Sequence, residues 1–412
     1  MFSSISFAPV FNEALLPLQA TKDIMTAKEI LSKLVSFPVL GGMSNTAIAE
    51  WIENYLTQHG VDFHTVPNID NTKRSIHCRI GPAVDGGVIL SGHTDVVPTE
   101  GQNWNTDPFV LTEKSDGKLY ARGSCDMKGF LACCLAALPK MKVAQIKRPI
   151  YFAFSYDEEI GCLAAPELAE HIKQTYKEKP KYAIIGEPTM MQPVVGQKGI
   201  VIYKTQVNGS AGHSSRIKEE VSAINEASRL ILWLEQKMND LIEKNHVDDR
   251  FTPPHTSIHC GLFEKSGIAP NIISDSASFY WDVRVIPLDK TEDILNEFKT
   301  YSKERELACR GKFLEFKITT EEDHPNVPPL DTPEHLSVVP LIRKLSQVDK
   351  LNTVAYAAEA GQFSEAGFET VICGPGDIAQ AHRANEFVSI DQLNQGYVFM
   401  LRLIDHLENA ID

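Results

Sequence analysis

The chain has 412 residues, of which 43% are hydrophobic and 23% charged, a composition typical of a soluble globular protein with a large core. Its formal net charge of −14 disfavours nucleic acid and anionic membrane surfaces as main partners. No run of residues is apolar and long enough to cross a bilayer, and the 8 scattered cysteines are expected to be reduced thiols of a cytoplasmic protein.

The first 22 residues have no positively charged start and are interrupted by Pro9 and Pro17. They are predicted to be an N-terminal extension, packed on the surface or partly disordered, rather than a targeting segment. The main domain is expected to begin at residue 23.

Segments with helical and with strand-like spacing alternate through the first half of the chain. Helices are predicted over residues 27–35, 44–59, 130–141 and 166–176, and apolar strands over residues 76–81, 86–92, 149–159 and 181–189. Such alternation predicts an α/β fold, a mostly parallel, doubly wound sheet with helices on both faces. This part of the main domain covers residues 23–196.

The pattern changes near residue 197, where half-exposed strands and two long amphipathic helices follow one another. Their order is strand, helix, strand, strand, helix, strand, which is the split-βαβ arrangement. Residues 197–322 are therefore predicted to be an inserted domain. The main domain resumes over residues 323–412 and includes one more apolar strand that leads into Gly374-Pro375-Gly376.

Histidine and carboxylate side chains follow five predicted strands, and in open α/β sheets the ligand site lies at the carboxyl ends of the strands. These side chains are His93 with Asp95, Asp126, Glu158 with Glu159, Glu187, and His382. Such donors suit Zn²⁺, Co²⁺ or Mn²⁺ in an open catalytic site, and two ions that share one carboxylate leave room for a water between them. Since neighbours on a strand point in opposite directions, one glutamate of the Glu158-Glu159 pair can bind metal while the other acts as a general base.

The sequence lacks the motifs of other enzyme classes that share this kind of sheet. No Gly-x-Gly-x-x-Gly follows an early strand, and there is no P-loop. No Gly-x-Ser-x-Gly marks a serine hydrolase.

Several runs of the sequence resemble the M20 family of dinuclear zinc amidohydrolases, from about residue 25 to the C-terminus. They are SGHTDVVP, DGKLYARGSCDMKG, the DEE at 157–159, AIIGEPT, GHSS and the late GPG…AH. Within the family the sequence is most similar to the acetylornithine deacetylases, through AIIGEPTMMQPVVGQKG, GHSSR and GPGDIAQAHRANEFV.

The resemblance implies a role for each residue at the strand ends. Asp126 would bridge two Zn²⁺ ions, which Co²⁺ can replace, and the peptide bond after it is often cis in this family. His93 and Glu187 would complete one metal site, and Glu159 and His382 the other. Glu158 would be the general base and acid, and Asp95 would orient His93.

The resemblance also implies that the inserted domain is a lid and dimerisation domain. His213 would reach the active site of the partner subunit and polarise the scissile carbonyl, while Asn271, Arg284 and Lys198 match positions associated with substrate binding. The residues alone permit plainer roles. His213 with its two following serines fits a helix N-cap region, Arg284 a surface ion pair, and Asn271 a turn.

The function implied is hydrolysis of N2-acetyl-L-ornithine to L-ornithine and acetate in arginine biosynthesis, through a metal-bridging water activated by Glu158. The partners would be a small N-acyl amino acid and, through the lid, a second copy of the chain. The alternatives are an N-succinyl-diaminopimelate desuccinylase or another M20 aminoacylase or dipeptidase. Ala358 stands where related deacetylases often have threonine, which concerns the substrate rather than the chemistry. A scaffold protein that has lost catalysis is disfavoured because the ligand set is intact.

Overall fold

The computed structural model describes residues 25–410, so the predicted N-terminal extension lies outside the described part of the chain. The strands are β1 Phe63–Pro67, β2 Arg74–Ile80, β3 Val88–His93, β4 Thr112–Glu113, β5 Lys118–Tyr120, β6 Ile150–Ser155, β7 Tyr182–Pro188, β8 Val194–Gln197, β9 Gly199–Asn208, β10 Gly212–His213, β11 Ser257–Ser266, β12 Ile272–Ile273, β13 Ser276–Val285, β14 Lys317–Val327, β15 Leu330–Asp331, β16 Asn352–Val354, β17 Glu369–Gly374 and β18 Phe387–Ser389. The helices are α1 Ala27–Val35, α2 Thr46–Gln58, α3 Lys128–Val143, α4 Ala165–Thr175, α5 Ala223–Glu243, α6 Thr291–Arg310, α7 Val338–Ser346, α8 Ala360–Glu365 and α9 Ile390–Glu408.

The largest sheet among residues 25–410 has nine strands in the order β1-β2-β6-β3-β7-β17-β8-β15, with β16 paired to β8. Its central strands β6, β3, β7 and β17 are parallel. Antiparallel pairs flank this centre, β1 with β2 and β2 with β6 on one side and β8 with β17 and β15 on the other. The predicted α/β class is confirmed, and the sheet is mixed, with a parallel centre.

Helices cover both faces of this sheet, which explains why β3 and β6 are buried along their whole length and mostly apolar. Helices α1, α2, α3, α7 and α9 contribute to the core on one face, and α4 and α8 to the core on the other. Helix α3 approaches very closely, because a Cβ atom on Gly186 would lie 2.0 Å from the ring of Phe130. Only glycine fits at that position of β7.

A second sheet has four antiparallel strands in the order β11-β13-β9-β14. In chain order its elements are β9, α5, β11, β13, α6 and β14, the β-α-β-β-α-β order expected from the sequence. Strand β9 alternates between buried and partly exposed residues, and its buried side chains join those of α5 and α6 in a separate core. Strand β14 runs to Val327, beyond the predicted boundary at residue 322.

All eight cysteines lie in the described part of the chain and are free thiols. No helix within residues 25–410 combines the length and the apolarity that a membrane crossing would need.

A buried histidine cluster lies between β2 and α4, away from the five strand ends. The Nδ1 atom of His77 lies 2.9 Å from the Tyr176 hydroxyl, and its Nε2 atom lies 2.8 Å from Nδ1 of His171. Burial, followed by the neighbouring His171 and His64, lowers the pKa of His77 from 6.5 to about 3. The folded protein therefore holds His77 in its neutral form.

This cluster gives a prediction for stability against pH. Below pH 6.5 the unfolded chain binds a proton that folded His77 does not bind until about pH 3, so stability is lost as the pH falls through this window. We expect His77→Gln to remove up to about 1.4 kcal/mol per pH unit from the slope of the unfolding free energy. Denaturant unfolding at pH 7, 6 and 5 measures it, with the exposed His335→Gln as the control. Equal slopes for wild type and both variants would contradict this account.

Candidate active site

The parallel strands at the centre of the large sheet bring the predicted ligands together at one edge. His93 is the last residue of β3, Glu187 lies near the end of β7, and Glu158 and Glu159 follow β6. Asp126 lies just before α3, and His382 lies in the loop after β17. Because the carboxyl ends of parallel strands meet at one edge, side chains far apart in the sequence become neighbours.

Asp126 lies between the two histidines. Its Oδ1 atom is 3.1 Å from Nε2 of His93, and its Oδ2 atom is 3.5 Å from Nε2 of His382. Glu159 stands on the His382 side, with Oε2 3.0 Å from Nε2 of that ring. The peptide bond between Asp126 and Met127 is cis. A carboxylate placed in this way can offer one oxygen to each of two ions.

Glu187 and Glu158 stand on the His93 side. Nε2 of His93 lies 4.0 Å from Oε1 of Glu187 and 3.9 Å from Oε2 of Glu158. Two groups have ligand atoms close enough to share an ion, His93 with Glu158 and Glu187, and His93 with Asp126 and Glu159. The structure thus brings together all five ligands expected from the sequence, and Glu158 beside them.

Asp95 holds the loop of the two glutamates. Its Oδ1 and Oδ2 atoms accept hydrogen bonds from the backbone N–H groups of Glu158 and Glu159, at 3.2 and 3.1 Å. The Nδ1 atom of His93 lies 2.9 Å from the backbone carbonyl oxygen of Asp95 and 3.6 Å from its carboxylate. The contact of Asp95 that is closest to His93 is therefore made by its backbone carbonyl oxygen. Its carboxylate instead holds the backbone of Glu158, the candidate general base.

The site concentrates negative charge that favours cations. Burial, reinforced by neighbouring carboxylates, raises the pKa of both Glu158 and Glu187 well above the usual range. Although burial opposes it, hydrogen bonds with His382 and His93 hold the pKa of Asp126 low. The Oε1 atom of Glu187 is buried and has no hydrogen-bond partner within residues 25–410. Four carboxylates and two imidazoles, with one buried oxygen left unpaired, fit divalent metal ions. Such ions would offset the negative charge of the carboxylates and coordinate the unpaired oxygen.

A buried ion pair behind the ligands was not predicted from the sequence. Arg122 Nη1 donates to Oε2 of Glu386 at 2.7 Å, and both side chains are 1% exposed. Oε1 of Glu386 accepts the backbone N–H groups of Cys125 and Asp126, at 2.9 and 3.0 Å. Arg122 Nη2 also donates to Gln102, whose Nε2 donates to the carbonyl oxygen of His382. This network fixes the backbone at two of the proposed ligands.

Two further neighbours carry polar groups towards the cluster. The Cys162 thiol lies 3.3 Å from Oε1 of Glu158 and donates to it. The Tyr356 hydroxyl is buried and has no hydrogen-bond partner in the described part of the chain. Burial, followed by the carboxylates of Glu187 and Asp126, raises its pKa well above the usual range. Ala358, by contrast, is buried, and its carbonyl oxygen accepts a hydrogen bond from Gln197.

The four residues predicted in the inserted segment are not in hydrogen-bond or ion-pair contact with the ligands within residues 25–410. His213 is exposed, with Nδ1 2.8 Å from Ser215 Oγ, and the exposed Asn271 accepts the Ser214 N–H at its carbonyl oxygen. Arg284 lies 3.5 Å from Asp282. Lys198 is buried, and its ammonium donates to the carbonyl oxygen of His255 at 2.6 Å. The catalytic role of His213 and the substrate-binding roles of the other three residues stay predictions.

Comparison with known proteins agrees with this geometry. The sequence profile of Peptidase family M20/M25/M40 matches residues 89–406. The chain belongs to the M20 family. The resemblance inferred from the sequence is thereby confirmed, and this M20 protein is a metal-dependent hydrolase.

Individual relatives share nearly the whole length of this M20 chain. It is 32% identical over 401 residues to an acetylornithine deacetylase from Shigella sonnei (strain Ss046), covering 97% of this chain and 98% of the relative. A tripeptidase from Staphylococcus aureus has the same fold, with a TM-score of 0.72, 20% identity and coverage of 93% and 98% of the two chains. So does a dinuclear metal-binding M20 peptidase from Bacillus subtilis, with a TM-score of 0.61, 13% identity and coverage of 93% and 98%.

Proposed function

We propose that this M20 protein hydrolyses the amide bond of N2-acetyl-L-ornithine and releases L-ornithine and acetate. The observation that carries the proposal is Asp126, whose two oxygens face His93 and His382, with Glu158 beside them. The 32% identity over nearly the whole chain to an acetylornithine deacetylase supports the choice of substrate.

The residues that would hold two metal ions are His93, Glu187, Asp126, Glu159 and His382. Zinc or cobalt ions bound there would supply the Lewis acidity that polarises the amide carbonyl and lowers the pKa of water. Glu158 takes a proton from the attacking water as the new C–O bond forms at the acetyl carbon. It then passes this proton to the amide nitrogen as the C–N bond breaks, which gives acetate and a free amine.

The surroundings of Glu158 suit a group that accepts and returns a proton. Asp95 holds its backbone N–H, and the Cys162 thiol holds one carboxylate oxygen. Glu158 is therefore fixed in direction while its other oxygen, Oε2, remains on the His93 side. A base held in this way loses little entropy when the substrate arrives.

The proposal includes a cytoplasmic homodimer formed through the inserted segment. Strand β11 lies at the edge of the four-stranded sheet and exposes Leu262 and Phe263, an edge suited to a second copy. His213 is exposed, which leaves it available to a partner's active site. Sedimentation equilibrium that reports a monomer at micromolar concentration would contradict the dimer.

The deciding experiment measures release of free amine by protein loaded with Zn²⁺ or Co²⁺. N2-acetyl-L-ornithine is compared with N-succinyl-diaminopimelate, N-acetylmethionine and an unblocked dipeptide. We expect acetylornithine to have the highest kcat/KM and a chelator to abolish its turnover. Faster hydrolysis of the succinyl compound or of the dipeptide would contradict acetylornithine as the substrate. The protein would then be a desuccinylase or a peptidase instead. No turnover of any substrate by metal-loaded protein would refute the catalytic proposal as a whole.

A further inference from the structure

A cavity of about 200 Å³ is lined by Pro188, which directly follows the proposed ligand Glu187, and by residues of two later segments. The residues that directly follow Glu187 in the chain form one wall, and the loop after β17 and the segment around β16 form the others. The polar residues of its lining are Thr189, Gln192, Asn352, Tyr356 and Asp377, and the other lining residues are apolar. No step of the hydrolysis described above uses this space.

Tyr356 connects the cavity to the catalytic centre. The residue lines the cavity, while its buried hydroxyl lies within the electrostatic influence of Glu187 and Asp126. That buried hydroxyl has no hydrogen-bond partner among the described residues. A substrate whose amide lies among the carboxylates would have to extend past Tyr356 to reach the cavity.

The charge of the lining selects the kind of group that can enter. Asp377 is a charged residue of the cavity lining, and among residues 25–410 no Lys, Arg or His lines the cavity. Its Oδ1 atom accepts the backbone N–H of Ala379 at 2.9 Å. Within residues 25–410 its Oδ2 atom takes part in no hydrogen bond or ion pair, which leaves one carboxylate oxygen for a ligand. An anionic group would be repelled here, and a cationic group attracted.

We propose that this cavity is the subsite for the cationic side chain on the amine portion of the substrate, with Asp377 pairing to its terminal ammonium. The inference rests on the proposed function and adds the residue that selects for positive charge. The three methylenes and the ammonium of ornithine are four heavy atoms. A cavity of about 200 Å³ holds them with space for water, which occupies roughly 30 Å³ per molecule. The same subsite disfavours a carboxylate at that end of the amine portion.

The test uses Asp377→Asn, which keeps an oxygen for the Ala379 N–H and removes only the charge. We expect kcat/KM for N2-acetyl-L-ornithine to fall about 10–100-fold, the loss typical of a hydrogen bond to a charged group. The fall should lie mainly in KM, because the contact is present in both ground and transition states. N-acetyl-L-norvaline has the same side chain without the ammonium, and kcat/KM for this compound should change less than about 2-fold.

A second measurement does not depend on turnover. Calorimetry should show that Asp377→Asn weakens the binding of L-ornithine and leaves the binding of L-norvaline unchanged. Asp391→Asn, an exposed acid in the first turn of α9, serves as the matched control and should change neither ligand. Equal losses of affinity for both ligands would overturn the subsite.

These outcomes separate the two proposals. If wild type hydrolyses acetylornithine and Asp377→Asn does so equally well, the subsite is wrong and the function stands. If wild type hydrolyses only other amides, the function is wrong, and selective loss of ornithine binding still decides the subsite.

Discussion

Replacing Glu158 with Gln is expected to lower kcat by about 10²–10⁴-fold, the usual contribution of a general acid–base. The amide cannot accept the proton of the attacking water, but it keeps the shape and the neighbours of the carboxylate. Oε1 would still accept from the Cys162 thiol, and Asp95 would still hold the backbone N–H. Steady-state kinetics with the best substrate measure the loss.

Metal content distinguishes the two roles that the geometry allows for Glu158. Its Oε2 atom lies 3.9 Å from Nε2 of His93, and with His93 and Glu187 it could form a metal site. A general base predicts full metal content in Glu158→Gln, measured by elemental analysis after dialysis. Loss of one ion would instead make Glu158 a ligand. Glu170→Gln, at an exposed position of α4, is the control and should leave kinetics and metal content unchanged.

The proximity of the proposed ligands could be predicted from the sequence because each follows an apolar strand or precedes a helix. Buried parallel strands read as short apolar runs, and the fold places their carboxyl ends side by side. His93 and Glu187 needed only this argument, since the strands that carry them are paired directly, β3 with β7. The division of the ligands into two sites needed the family resemblance as well, because strand order cannot be read from apolar runs alone.

The buried ion pair behind the proposed ligands could not be predicted from the sequence. Arg122 and Glu386 are 264 residues apart, and a charged residue in a sequence looks the same whether it is exposed or buried. Both lie within the runs that resemble the family, LYARGSCDMKG and AHRANEFV, which was the available signal. The inserted segment is a different case. His213 and Asn271 are exposed in a single chain, so any catalytic contact they make depends on a partner or on movement of that segment.

Replacing Arg122 with Met is expected to lower the free energy of unfolding by about 3–5 kcal/mol, the usual cost of leaving one member of a buried ion pair unpaired. Glu386 would remain in a site where both side chains are 1% exposed. Its Oε1 atom would still accept two backbone N–H groups, but its Oε2 atom would lose its 2.7 Å partner. Denaturant unfolding of the metal-free protein measures the change without a contribution from metal binding.

The double variant Arg122→Met/Glu386→Gln distinguishes the charge from the packing. If the loss comes from an unpaired buried carboxylate, the second substitution should recover most of it, because Gln is neutral and its carbonyl oxygen can still accept the N–H groups of Cys125 and Asp126. If the loss comes from the missing Arg122 side chain, the double variant stays as unstable as the single one.

Arg343→Met, which breaks an exposed ion pair with Glu334, is the matched control and should cost at most about 1 kcal/mol. An equal cost for the two arginines would show that burial of the Arg122–Glu386 pair has no energetic consequence. The backbone of Asp126 would then be held by the protein core rather than by this ion pair.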